Sequence, residues 1–220
     1  MIVAFVQTKG GVGKTTLAVN LAVERVKRAG RNVLLVDADE QGTASDFTAI
    51  RSERLGAAGF VLLQASGGEV RDQVLKLGPG FDDILIDAGG RDTASLRATL
   101  TVADIVVVPF QPRSFDVWTL DKVAALIAEA KALNPRLRAY AVLNCADPQG
   151  QDNVEAAEAL ADNRQIRYLD APLVRRKAFP NCNAVGLGVL ESPQPDRKAC
   201  KELIDLAEKL FTLTPRSSRR

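Results

Sequence analysis

The chain contains no histidine. That one absence removes histidine acid–base chemistry, histidine-ligated zinc and any Ser-His-Asp triad. Cysteine is scarce. Cys145, Cys182 and Cys200 are widely spaced and form no C-x-x-C pair, so they read as free thiols in a reducing cytoplasm. No apolar run approaches the ~20 residues that a membrane-crossing helix needs. A cleaved leader is not expected, because the first residues read as a strand that runs straight into a glycine-rich loop. Linkers, internal repeats and low-complexity blocks are missing apart from a short basic tail.

What is present is one domain's worth of chain. Of 220 residues, 46% are hydrophobic and 25% charged, enough for a substantial core. Net charge is only +2, but it is unevenly spread. From Arg164 to Arg220 there are 12 Lys/Arg against 6 Asp/Glu, net +6; the remainder holds 17 against 21, net −4. A basic C-terminal third is either an electrostatic footprint for nucleic acid or a solvated surface ending in an arginine tail.

The most informative stretch is Thr8-Lys9-Gly10-Gly11-Val12-Gly13-Lys14-Thr15-Thr16. It follows the apolar run Ile2-Val3-Ala4-Phe5-Val6 and opens an amphipathic segment, Leu17 to Val26. Strand, glycine-rich turn and helix are the setting in which such a loop binds phosphate. The glycines let backbone N–H groups turn inward around an anion, and the helix aims its positive end at the same point. Lys14 is placed to reach the β- and γ-phosphates, and the Thr15 hydroxyl to reach Mg²⁺. The common pattern G-x-x-x-x-G-K-[ST] asks for glycine where this chain has Thr8, and a second lysine, Lys9, appears beside it.

The rest of the chain repeats strand and helix patterns. Arg31 to Asp37 reads as a buried strand ending in Asp37-Ala38-Asp39-Glu40-Gln41-Gly42, two carboxylates where a strand meets a loop. Thr43 to Leu55 reads as a helix, Gly59 to Leu63 as a short strand, and Ser66 to Leu77 as a helix closed by Gly78-Pro79-Gly80. Asp82 to Asp87 is an apolar strand ending in an acid, with Gly89 and Gly90 free to approach a γ-phosphate. Asp92 to Leu100 is a helix and Ile105 to Pro109 a buried strand. Pro109 and Pro112 bracket a loop, and Ser114 is placed to cap the next helix. That helix buries Val117, Leu120, Ala124, Ile127 and Ala130, and stops at Asn134-Pro135. Leu137 to Leu143 is a strand finishing at Asn144. After a polar segment, a short helix runs through Leu160, and Ile166 to Leu169 is the last strand. Pro172 to Gly188 is loop and short helix. Asp196 to Phe211 is a helix with Ala199, Leu203, Leu206 and Leu210 on one face. Such alternation predicts an α/β fold: a mostly parallel, doubly wound sheet with helices on both faces in a single domain, residues 1–213, followed by a disordered basic tail, 214–220.

The K-G-G-x-G-K-[ST]-T form of the loop resembles the deviant Walker A motif of the ParA/MinD family of P-loop ATPases, and the resemblance extends through Asp87 and Val108-Pro109 to the final helix. It implies an ATPase that uses ATP and Mg²⁺. Lys9, Gly10, Gly11, Val12, Gly13, Lys14, Thr15 and Thr16 would hold the phosphates. Thr15 would bind Mg²⁺, with Asp37 and Asp87 acting through water. Asp37 or Asp39 must orient the attacking water, and the family assigns that task to Asp39, so that Lys9, Lys14 and Asp39 are the catalytic set. Asn144 and Pro172 would line the adenine. In the family the early lysine reaches a partner's nucleotide, so the resemblance implies an ATP-dependent homodimer that loosens on hydrolysis.

Within the family the chain is most similar to the short ParA-type partition ATPases. The final helix looks like a core helix and not a membrane anchor, the cysteines are not placed to hold a cluster, and only Tyr140 and Tyr168 are present where a tyrosine-rich tail would be needed. By implication the ATP dimer binds DNA without sequence preference, with Arg175, Arg176 and Lys177 as candidate contacts and Arg197, Lys198 and Lys201 behind them. A ParB- or ParG-like centromere-binding protein would stimulate hydrolysis and release it, and the protein would be cytoplasmic and nucleoid-associated. Two alternatives stay open: a metabolic ligase of the dethiobiotin-synthetase type, which needs a second pocket for an organic substrate, and a MinD-like or protein-cargo positioning ATPase.

Overall fold

Strand and helix alternate from Ile2 through Tyr168. A computed structural model describes residues 1–90, 93–112, 117–147, 151–161 and 163–213. The first half runs β1 (Ile2–Phe5), α1 (Lys14–Lys27), β2 (Val33–Ala38), α2 (Thr43–Leu55), β3 (Val61–Gln64), α3 (Glu69–Leu77), β4 (Asp83–Ala88) and α4 (Thr93–Val102). The second runs β5 (Ile105–Phe110), α5 (Val117–Leu133), β6 (Arg138–Ala146), α6 (Gln151–Ala161), β7 (Ile166–Tyr168), β8 (Leu173–Val174), α7 (Ala178–Asn183) and α8 (Arg197–Thr212). Among the described residues these strands form one eight-stranded sheet in the order β3-β2-β4-β1-β5-β6-β7, with β8 also on β6. Each pairing is parallel.

The apolar runs explain the layering. β2, β4 and β5 are buried at every residue, as strands covered on both faces must be. Alternate side chains feed two cores. Val3, Phe5, Leu35, Leu85 and Val107 pack with α1, α2 and α8. Ala4, Val6, Val36, Ile86 and Val106 pack with α3 to α6. The stripe on α8 behaves as its spacing demands: Ala199, Leu203, Leu206 and Leu210 are fully buried, and Asp196 caps the helix by accepting from the Lys198 and Ala199 N–H groups. On α5, Leu120, Ile127 and Ala130 are buried, Ala124 is half-buried and Val123 joins them; the Val117 side chain, Asp92, Ser114 and the tail 214–220 lie outside the described residues.

Three local expectations change. Pro109 does not end β5: it pairs with Val142, and the strand continues to Phe110. Its missing N–H costs nothing there. The Val107 carbonyl accepts from Val6, so Pro109, two residues on, faces the same side, where β1 has already ended. Gly59 lies outside β3 because its φ is +83°, which turns the chain before the strand begins. Pro172 to Gly188 is not wholly loop and helix, since Leu173–Val174 forms β8. β6 is nine residues long against three in β7, so its far end takes a second partner. The register shifts between Asn144 and Ala146, where Cys145 has a φ of +53°. This bulge changes the phase of the strand: Val142 faces the α1 side, and Ala146, four residues later, faces the α5–α6 side.

After β1 the chain moves outward through β2 to β3. It then returns to β4 and continues to the other side of β1. The C-terminal ends of β1, β2 and β4 therefore meet at the sheet's switch point, which is where an open α/β sheet binds ligands.

Candidate active site

The P-loop rises from the end of β1 and closes onto α1. Gly11 and Gly13 have φ of +73° and +93°, and a methyl group on Gly13 would come within 2.1 Å of Asn144 Nδ2. Lys14 opens α1, and its side chain is tucked in, at 7% exposure. Lys9 is half-buried, and Gly10 and Gly11 are exposed at the loop's outer edge.

The acids converge on the same point. Asp37 and Asp87 are direct partners across β2 and β4. Asp37 is held in place: one oxygen accepts from the Ser45 N–H at 2.8 Å and the Ser45 hydroxyl at 2.6 Å, and the other from the Asp39 N–H at 3.3 Å. Asp39 lies past the strand end, half-buried, and its carboxylate accepts from the Gln41 N–H at 3.1 Å. Gly89 packs on it, with the Asp39 Cα only 3.2 Å from where a Cβ would lie. Gly90 is seated still more closely on the Gln7 carbonyl, at 2.8 Å. Both glycines thus press the β4 loop against the β1 and β2 loops.

Asp87 is fully buried, and among the described residues neither carboxylate oxygen has a hydrogen-bond partner. Burial, with the Asp37 and Asp39 charges behind it, lifts its pKa to about 7 against the Thr15 hydroxyl and Lys14, which draw it down. A buried acceptor pair without a donor, beside a threonine hydroxyl and a lysine, fits a hydrated divalent cation. Among the described residues no cluster of three metal-ligating side chains exists. That suits Mg²⁺, which keeps several waters and relies on nucleotide phosphates. When bound, the ion neutralises charge on the β- and γ-oxygens.

Two amides that no sequence motif marks also hold the loop. Gln111, just past β5, donates to the Gly11 carbonyl at 3.0 Å. Gln7, just past β1, accepts from the Thr8 N–H at 2.8 Å and donates to the Pro109 carbonyl at 3.4 Å. Neither belongs to the glycine–lysine motif, and only the parallel order of β1 and β5 brings Gln111 to the loop. Asn144 donates to the Val12 carbonyl at 2.7 Å. Pro172 is exposed on the rim of a cleft of about 620 Å³ lined also by Leu143, Tyr168, Asp170 and Val174, and the next residue, Leu173, pairs with Asn144.

Behind the loop, the segment after β8 is fastened to both nucleotide-side helices. Asn20, one turn beyond Thr16 on α1, donates to Asn183 at 3.0 Å and accepts from the Val189 N–H at 2.8 Å. Arg51 on α2 is 1% exposed; it donates to the Ala58 and Gly186 carbonyls and grips Glu191 with both terminal nitrogens, at 2.5 and 2.8 Å. Burial pushes the Glu191 carboxyl up, but Arg51, the Gly188 N–H and Lys27 outweigh it and hold it below its ordinary value. Of the basic run after β8, Arg175 and Lys177 are exposed, and Arg176 is spent on Glu202 at 2.6 Å.

Comparison with known proteins agrees with this geometry. Residues 3–189 match the CobQ/CobB/MinD/ParA nucleotide binding domain. The maintenance of carboxysome distribution protein A of Gloeobacter kilaueensis is 33% identical, over 86% of this chain and 84% of its own. The chromosome-partitioning ATPase Soj of Thermus thermophilus is 36% identical over 64% of this chain and 67% of its own. The crystal structure of cobyrinic acid a,c-diamide synthase from Mycobacterium smegmatis, with a bound ATP analog and magnesium, superposes with a TM-score of 0.76 at 21% identity, covering 96% of this chain and 93% of that one. With its glycine loop, buried lysine and converging strand-end acids, the chain belongs to the CobQ/CobB/MinD/ParA family and is one of its P-loop ATPases.

Proposed function

We propose that this protein is a DNA-partition ATPase, switched by ATP and Mg²⁺ between a free form and a sandwich dimer that rides on DNA. The observation that carries this reading is the second lysine. Lys14 already serves the phosphates of its own loop, and Lys9 stands at the outer half of that loop beside two exposed glycines. In this reading Lys9 completes the pocket of a facing subunit. ATP then joins two chains, and loss of the γ-phosphate parts them. Asp39, past the end of β2 and packed on Gly89, orients the attacking water in this scheme, while Asp37 and Asp87 serve the metal's water shell.

DNA binding rests on the basic C-terminal third, with exposed Arg175 and Lys177 as the phosphate contacts. Arg176, engaged with Glu202, holds the segment in shape instead. A ParB- or ParG-like centromere-binding protein would stimulate hydrolysis and so release the dimer. The Gloeobacter relative is described by its role in carboxysome distribution, which favours a second reading in which the same cycle carries a protein assembly and not a DNA locus.

The test is DNA binding by the Asp39→Ala protein. With ATP it should retard random-sequence duplex, lose that ability steeply between low and moderate salt, and show none with ADP. Binding that ignores nucleotide, or none at all, overturns the DNA-riding reading. Stimulation of the wild-type ATPase by a carboxysome-type adaptor and not by a centromere-binding protein would decide for protein cargo.

A further inference from the structure

Three successive carbonyls of the phosphate loop are pinned from outside it. The Gly11 carbonyl accepts from Gln111 Nε2 at 3.0 Å, the Val12 carbonyl from Asn144 Nδ2 at 2.7 Å, and the Gly13 carbonyl from the Leu17 N–H at 3.0 Å. In a trans peptide the C=O and the following N–H point in opposite directions. Holding those three carbonyls therefore turns the N–H groups of Val12, Gly13 and Lys14 the other way. Three consecutive N–H groups so directed make an anion nest, and Gly11 and Gly13, with φ of +73° and +93°, supply the backbone conformation that it needs.

The third pin is the first turn of α1 and comes with any helix. The first two come from the ends of neighbouring strands. Gln111 follows β5, which pairs with β1. Asn144 lies on β6, immediately before the bulge. Cys145 in the left-handed region and the register shift let the strand present Asn144 towards the loop and still return Ala146 to the opposite core. The amide is 5% exposed, and Gly13 is bare of a side chain where Asn144 approaches. The contact is made through Nδ2 to the backbone of the phosphate loop itself.

We propose that Gln111 and Asn144 are positioning residues that hold the phosphate loop in its anion-binding shape before nucleotide arrives, so that Asn144 contributes to affinity through the triphosphate and not through adenine. The inference rests on the P-loop being the phosphate site. It reassigns the residue that the family resemblance places on the base, and it adds one that the motif does not contain. Each brace acts on a peptide adjacent to the other's, so the two are coupled, and loss of either leaves the loop free to rotate that peptide away from the anion.

The experiment is calorimetric titration of the nucleotide-free full-length protein with ATP and with inorganic tripolyphosphate, each with Mg²⁺, for wild type, Gln111→Met and Asn144→Leu. Both substitutions keep side-chain bulk and remove the donor. Each should weaken tripolyphosphate and ATP by the same factor, roughly fivefold to tenfold for one hydrogen bond to a loop that must otherwise order itself. The ratio of the two affinities should stay at its wild-type value. A loss confined to ATP in Asn144→Leu would make Asn144 a base contact and overturn the proposal, as would unchanged tripolyphosphate affinity in Gln111→Met. Should Asn144→Leu not fold, Gln111→Met, altered at a half-exposed site, decides the matter by itself. Failure of the wild type to bind tripolyphosphate, with ATP still bound, would instead remove the prearranged phosphate site on which the inference rests.

Discussion

A buried carboxylate without a donor is expensive, and among the described residues Asp87 has none. Its folded pKa of about 7 lies above the ordinary 3.8, so between those values the folded chain binds more protons than the unfolded one. Stability must then fall as pH rises through that window. Urea unfolding of the nucleotide-free protein should show wild type losing stability from pH 4 to 7 relative to Asp87→Asn, which no longer titrates there; parallel curves would show that Asp87 is not the group responsible. Two further substitutions separate binding from chemistry. Lys14→Gln should abolish ATP binding by removing the buried ammonium, seen by titration calorimetry. Asp39→Ala should bind ATP and turn it over at a small fraction of the wild-type rate in a phosphate-release assay, and near-normal turnover would move the water-orienting role to Asp37. The residues of the glycine loop and the three acids were legible in the sequence because motif spacing and strand-end position define them. Gln7 and Gln111 were not. A glutamine carries no signal of its own, and both owe their place at the loop to strand neighbours about a hundred residues apart.

At the level of elements, the Arg51 clamp joins α2 to the turn at Val189–Glu191, and Asn20 joins the same segment to α1. Arg51→Ala would leave Glu191 without its main partner and the Ala58 and Gly186 carbonyls without donors. Removal of one member of a buried pair costs about 3–5 kcal/mol, which should appear as a lowered urea midpoint with unchanged slope. Gly186→Ala should be harmful by a different route: its φ is +71°, and the added methyl would lie 2.5 Å from the Arg51 backbone nitrogen. Periodicity made the long elements readable, α8 above all, since its apolar spacing and Asp196 cap are local properties. β8 escaped notice because it has two residues and exists only where β6 outruns β7. The bulge at Cys145 escaped for a related reason: nothing in the residue type marks a left-handed backbone.

For the molecule as a whole, the proposed function turns on whether two copies meet through ATP. Lys9→Ala should retain nucleotide but elute as a monomer in size-exclusion chromatography with ATP, while Asp39→Ala elutes as a dimer; a dimer of Lys9→Ala would count against the exchanged lysine. The doubly wound architecture was legible because unalternating apolar runs demand cover on both faces, and alternating helices supply it. The two covers are built from different parts of the chain. α3 to α6 close one face in sequence order. The other unites α1 and α2 with α8, where Arg25 lies 3.9 Å over the Phe211 ring and also holds Asp83 at 2.8 Å. During synthesis, then, the side of the sheet beneath the P-loop helix stays partly bare until α8 has emerged. Ribosome-bound intermediates that still lack α8 should offer that oily patch to chaperones.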